Sequence, residues 1–419
     1  MPRSNAALPA PERGSAPAQL LLQVETWLCT IMEHIAPMMS SSVKERLWRQ
    51  KCLNELAFYL NWRDLRQLPY SAEAARLSAF VVDNCSSDYL EWAGRRPQQS
   101  LVHAQTFAHV VRHGGDGAAT TSLLRHLLSG RFSWHTELLA CRQLELLLAC
   151  RHAGAVAPIE VNAVIAASSL VLPPCPLLSD TEAFYSFAHT VFFTHLLQPD
   201  ALPPSAQTVA ALEGGLCRAI AASDLDLALE LLLCQIVSGT PFDGGARLAY
   251  ALLVNGLGGG VLSETIRFSP AQRDFLAERP EEHWAKAFHL MQLAALVLTA
   301  LEQSQRQTDL LAAGDDSFAL VYGRCAQHLQ RHQIAAGLDE AARLMPTDAL
   351  QHRLVRGIDG HVAFLRNSDG SFGRYFDERR LYNANTPDGH FGDLILPVQD
   401  ACTRHLARAA TRCIGEGTV

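Results

Sequence analysis

Apolar residues recur every three to four positions along almost the whole chain, and no useful length alternates apolar with polar. This pattern argues against any sheet-based fold. A strand that buries one face needs a period of two, whereas a buried helix face needs 3.6. From Pro17 onward, Leu20, Leu21, Val24, Trp27, Leu28 and Ile31 share one helical face. A second helix is expected over about 42–62, where Ser41 or Ser42 can cap it and Glu45 is placed for a capping box. Helical patterns then recur at about 72–95, 100–113, 118–129, 133–153, 158–171, 180–196, 205–221, 224–238, 244–254, 282–303, 316–345, 347–366 and 393–413. Pro173-Pro174, Pro203-Pro204, Gly239 to Gly245, Gly256 to Gly260 and Asn367 to Gly373 supply the breaks.

Two helices with their turns take about 40–55 residues, and this recurs from end to end, the spacing of a helical-repeat architecture. The expected fold class is therefore all-α, an α/α toroid in which helix pairs close, or nearly close, into a superhelical array. A Pro-, Ala- and Ser-rich tail over residues 1–16 is expected to be disordered, and residues 17–419 to form a single domain. The Gly-, Asp- and Asn-rich stretch from Asn367 to Gly392 is the expected lid or mouth element.

Composition narrows the function classes. In 419 residues, 48% are apolar and 18% charged, which suits a large core and excludes a disordered chain. The net charge of -7 brings no basic face, so no nucleic-acid partner is expected. The one dense basic stretch, Lys44 to Arg49, contains Glu45 and reads as a solvated helix face. The 11 cysteines are scattered, many in apolar runs such as those of Cys141, Cys150, Cys217 and Cys234, and no CxxC occurs. Reduced thiols of the cytoplasm, acting as small buried hydrophobes, fit that distribution. The N-terminus lacks the apolar stretch of a signal peptide, and no run of about 18 apolar residues predicts a membrane span.

Two segments carry resemblances. Tyr185-Ser-Phe-Ala-His189-Thr-Val-Phe-Phe193-Thr-His195 is followed by Asp224-Leu-Asp226-Leu-Ala-Leu-Glu230-Leu-Leu-Leu-Cys234. The pair resembles an uncharacterised, largely actinobacterial family of helical proteins, with a Tyr-x-x-x-His-Thr-x-Phe-Tyr-x-Thr-Asp motif and then an Asp-x-Asp-Leu-x-x-Glu-Leu-Leu motif. The likeness extends from about Ser133 to Leu262, and His195 stands where the family pattern has aspartate. The second segment, Leu365-Arg-Asn-Ser-Asp369-Gly-Ser-Phe372-Gly373, is similar to the Asp-Gly-Ser-aromatic-Gly turn of terpenoid cyclases and related α/α toroids. The acidic motifs of those cyclases are incomplete: Asp224-Leu-Asp226-Leu lacks the last aspartate of the protonating pattern, and no Asp-Asp-x-x-Asp occurs.

His189, among Phe187, Val191, Phe192 and Phe193, is the candidate base. His195, six positions on and about 120° round the helix, is a second candidate near a helix end that favours a cation. Asp224 reads as a helix cap. Asp226 and Glu230, one turn apart among leucines, could give a general acid with a raised pKa. The i, i+4 pairs His109/His113 and His328/His332 lack a third ligand in sequence, so no metal is expected, and no fingerprint calls for a cofactor. The function expected is an enzyme, or a ligand-binding accessory protein, of natural-product biosynthesis. It would hold a small-molecule or peptide-derived ligand in the central cavity and act on it by general acid–base chemistry. The alternative is a non-enzymatic helical scaffold for a protein or peptide partner; a terpene cyclase-like enzyme is the third reading. The oligomeric state is left open.

Overall fold

The structure, a computed structural model, describes residues 17–40, 42–114, 118–134, 138–198, 204–258, 280–304, 306–311, 316–366, 398 and 400–410. The N-terminal tail at 1–16 and the turn and mouth element assigned to 367–392 lie outside the described residues. Helix is the only major regular structure among the residues described. In order the helices are α1 (Pro17–Ile31), α2 (Val43–Leu65), α3 (Ala72–Asp83), α4 (Ser87–Gly94), α5 (Ala104–His113) and α6 (Ala118–Ser129). Next come α7 (Arg131–Trp134), α8 (Ala140–Ala153), α9 (Val161–Ala166), α10 (Thr181–Leu197), α11 (Ala206–Ala221) and α12 (Leu225–Ser238). The chain continues with α13 (Gly244–Gly258), α14 (Pro280–Ser304), α15 (Gln307–Leu311), α16 (Ser317–Gln330), α17 (Ile334–Ala341) and α18 (Ala349–Phe364). Residues 400–410 are also helical. Short 3₁₀ turns lie at Met32–Ile35, Pro37–Met39 and Pro97–His103.

Side-chain caps fix many of the starts. Ser42, Ser71, Ser86, Asp180, Ser205, Asp224 and Asp348 each accept from a backbone N–H three residues on. The capping box at α2 is incomplete: Glu45 accepts from the Ser40 hydroxyl at 2.7 Å and from Arg49 instead of turning back to Ser42. Several expected helices come out shorter, among them that over 133–153, whose long helix starts only at Ala140. The pattern over 72–95 divides at Ser86, which caps a new helix. The pattern over 316–345 divides at His332, whose φ of 59° ends the helical hydrogen bonding. Of 158–171, only Val161–Ala166 is α-helical; the Ser168 hydroxyl takes the Ile165 carbonyl at 2.7 Å, a local bond that competes with the helix.

Six helices follow one another as packed neighbours: α2 on α5, α5 on α8, α8 on α10, α10 on α12, α12 on α14, and α14 back on α2. Of these, α10 and α12 are apolar nearly all round, as deeply buried helices must be; Phe184, Phe187, Ala188, Val191, Phe192 and Phe193 are all buried on α10. Other helices cover them: α1 lies on α14, α3 on α2 and α5, α6 on α5 and α8, and α11 and α13 on α12. Where α1 meets α2, buried Glu25 accepts from the Tyr59 hydroxyl, from Arg63 at 2.8 Å and from the Ser71 hydroxyl at 2.6 Å.

A second apolar cluster includes Phe318, Tyr322, Cys325, Leu329, Leu338, Ile358 and Val362. It is built from α16, α17 and α18 and stands on α11. The contact needs Gly323, because an added Cβ there would run into the Cys217 carbonyl on α11. Backbone cannot yield as a flexible side chain can, so Gly323→Ala should destabilise the fold by about 1–3 kcal/mol, read by chemical denaturation. An unchanged midpoint would show that α16 and α11 are free to move apart.

Candidate active site

The i, i+4 spacing puts Tyr185 and His189 on one face of α10, and Asp226 and Glu230 on one face of α12. These two helices pack together, and the two faces line a cavity of about 470 Å³. Helix α2 adds Lys51, Glu55 and Phe58, α8 adds Arg142 and Glu145, and α14 adds His289, Gln292 and Leu296. Phe58 stacks edge-on with Phe193 at 5.6 Å between ring centres, so one part of the lining is aromatic.

The polar groups form a continuous chain of opposite charges. Lys51 Nζ stands 3.5 Å from Glu55 Oε1, and Glu55 Oε2 stands 3.3 Å from His289 Nδ1. His289 Nε2 is 3.1 Å from Asp226 Oδ1 and 3.9 Å from Glu230 Oε1. Glu230 Oε1 accepts from His189 Nε2 at 3.2 Å. The Tyr185 hydroxyl donates to Asp226 Oδ2 at 3.1 Å and to Asp224 Oδ1 at 3.4 Å. Asp226 Oδ1, Glu230 Oε2 and His289 Nδ1 are buried with no aligned hydrogen bond.

These neighbours set the protonation states. Burial works against charge on His189, but Glu230 and the Cys141 sulfur more than reverse it and lift its pKa to about 9. His289 is burdened by burial in the same way and is raised well above the usual range by Asp226 and Glu55. Burial would raise Asp226, yet His289, Tyr185 and Lys51 hold it below the usual carboxylate range. Glu55 is likewise lowered against its burial, by His289 and Lys51. Cys141, in the first turn of α8, is lowered despite burial through His189, Ser186 and Arg142.

Of the four residues singled out in the sequence, the structure brings His189, Asp226 and Glu230 together and leaves His195 out. His195 is not among the cavity-lining side chains; burial and nearby Arg66 lower its proton affinity, so the cation expected at that helix end is not favoured. Of the two carboxylates offered as a general acid, Asp226 is held below the usual carboxylate range by His289 and so does not have the raised pKa that role needs. Asp224 is a cap, accepting from Leu227 N, and is itself raised by burial and by Asp226. Sequence reasoning missed Lys51, Glu55, His289 and the role of Cys141. The available signal was a Lys/Glu pair one turn apart, Lys51 and Glu55, and a lone His between Phe288 and Leu290.

Among the described residues, two groups of donors have metal-ligand separation, each with its ligand atoms within 4.8 Å of one another: Asp226, Glu230 and His289, and, elsewhere, Asp64, His109 and His152. Both draw on separate helices, which is why linear spacing shows no third ligand. The His109/His113 pair divides: His109 bonds to Asn61 and Ser78, and His113 bonds to Asp64 at 2.7 Å. On α16, His328 bonds to Gln333 Oε1 at 2.7 Å.

The model of one protein family, a domain of unknown function (DUF6895), matches residues 22–299. The chain belongs to that family. The matched DUF6895 region contains all six consecutively packed helices, to within five residues at the end of α14, and every cavity residue named above. No curated protein and no solved structure matches the chain.

The titration directions give a pH prediction. His189 binds its proton more tightly folded than unfolded, so its stabilisation is complete below the usual 6.5 and lost as pH rises through about 9. Burial lowers His103 and His109 to about 3, so the unfolded chain takes up their protons first and stability falls as pH drops below 6.5. Unfolding free energy should therefore rise from pH 4 to 6.5 and decline towards 9. Urea titrations across that range should show His189→Gln making the alkaline limb shallower, with His289 keeping the remainder, and sparing the acid limb.

Proposed function

We propose that the chain is an enzyme that takes a small-molecule or peptide-derived ligand into this cavity and moves protons on it, in the chemistry of natural-product biosynthesis. The observation that carries the reading is the convergence of charged groups from α2, α10, α12 and α14 on one apolar-walled space. Buried charges are costly and need partners. A cavity of about 470 Å³ lies within the roughly 300–1,000 Å³ of small-molecule sites. In this reading His189 delivers or accepts the proton, Glu230 orients it, and Asp226 and His289 form the adjoining polar wall. The α/α toroid belongs to the same proposal, supported by the six-helix succession that returns from α14 to α2.

The ionised Asp226 works against a terpene cyclase-like reaction, which needs a neutral acid to protonate an alkene. The scaffold reading needs an exposed apolar patch as its working surface, and a cavity-blocking variant separates it from the enzyme reading. A compound library screened by thermal shift should yield ligands that stabilise the wild type, by about 2.7 kcal/mol at a hundredfold excess over Kd. Leu296→Trp should remove that shift by filling the space. Once a substrate is in hand, His189→Gln should lower turnover by roughly a hundredfold or more. Ligand shifts that survive Leu296→Trp would move the site elsewhere. Capture of a peptide partner untouched by that change would favour the scaffold.

A further inference from the structure

We infer that Asp226, Glu230 and His289 hold one divalent first-row transition-metal ion, of the zinc, manganese or iron(II) class, facing the cavity. The inference deepens the enzyme reading above and rests on it only for what the ion would face.

The local sequence makes the site possible. Asp226 and Glu230 are one turn apart on α12, so their carboxylates leave the same face, and α14, which packs on α12, presents His289 opposite them. One ligand atom from each lies within 4.8 Å of the others. Metal bonds of about 2.0–2.2 Å place neighbouring ligand atoms roughly 3.0–3.5 Å apart; Asp226 Oδ1 and His289 Nε2 stand 3.1 Å apart.

The bonding pattern separates this site from an ordinary ion-pair knot. Two of the three residues have one polar atom hydrogen-bonded from behind, and the third has a carboxylate facing its outer nitrogen. The Tyr185 hydroxyl donates to Asp226 Oδ2 at 3.1 Å, His189 Nε2 donates to Glu230 Oε1 at 3.2 Å, and Glu55 Oε2 faces His289 Nδ1 at 3.3 Å. Outer partners of this kind fix the orientation of metal ligands, a carboxylate behind a ligating histidine above all. The remaining carboxylate oxygens, Asp226 Oδ1 and Glu230 Oε2, are buried without a hydrogen-bond partner, and the Glu230 side chain is only 2% exposed. Buried oxygens left in that state are costly, and an ion satisfies both at once.

The donor set selects the ion. One imidazole nitrogen with two carboxylates favours a transition ion over calcium or magnesium, which take oxygen ligands. Three protein ligands leave coordination positions open, the arrangement of catalytic rather than structural sites. The second donor group is less suited. Both nitrogens of His109 are engaged, Nδ1 with Asn61 Oδ1 at 2.9 Å and Nε2 with Ser78 Oγ at 2.8 Å. It serves as an internal control.

The full chain, stripped with chelator and dialysed, would be titrated with Zn²⁺ by calorimetry and with Co²⁺ by visible absorption, without substrate. One ion per chain is expected. Tyr185→Phe should weaken binding by about 10–100-fold and shift the Co²⁺ bands. Asp226→Asn and His289→Gln should weaken it further, and Asp64→Asn should leave it unchanged. Circular dichroism checks that each variant folds; should a ligand variant unfold, the Tyr185→Phe affinity and the Co²⁺ bands decide. No stoichiometric uptake, or uptake that Asp64→Asn abolishes and Asp226→Asn spares, would overturn the assignment. Because uptake is read without substrate, its failure leaves the acid–base reading standing, and failure of the ligand screen leaves the metal site standing.

Discussion

The buried Glu230 carboxylate constrains the centre of this molecule more than any other group. At 2% side-chain exposure it has left water almost completely, and an ion so placed costs several kcal/mol unless neighbours compensate it. His189 on α10 and His289 on α14 supply the compensation from either side, at 3.2 and 3.9 Å. Three consecutively packed helices are thereby tied to one charge. His289 in turn draws in Glu55 and with it α2, which carries Lys51. Removing any member strands the next, so the network resists piecemeal change.

Two of the helices that carry these groups, α10 and α12, are otherwise among the most apolar of those described. Leu227, Leu229, Leu231, Leu232 and Leu233 on α12 are all buried, as are Leu293, Leu296 and Leu298 on α14. Where the polar cluster is buried, as at Glu230, little solvent screens it, and the interactions there are stronger for that reason. The same surroundings shape the cavity: aromatic rings from α2 and α10 wall it, and the charges stand where a bound molecule would meet them.

The C-terminal helices α16 to α18 fall outside the matched family region and build their own apolar cluster. They reach the rest of the molecule largely through α11, where Gly323 permits close backbone approach. No cavity residue named above comes from them. Their contribution to the site is therefore indirect, through α11, which packs on the back of α12.

The all-helical class was legible from periodicity alone, because a 3.6-residue repeat of leucines and alanines leaves no other way to bury them. His189, Asp226 and Glu230 were legible because each is a polar residue inside a strongly apolar helical run. His195 shared that local signature and still fell outside the cavity, since six residues turn the side chain about 120° away. Glu55 and His289 were not legible as partners: they lie 234 positions apart, and neither neighbours the recognisable motifs. The sequence by itself determined which segments are helices and which faces are apolar, since those depend on contacts within a few residues. Only the tertiary structure decided which polar groups meet. Pairing of a carboxylate with an imidazole depends on which helices become neighbours, and that is set by packing summed over the whole chain.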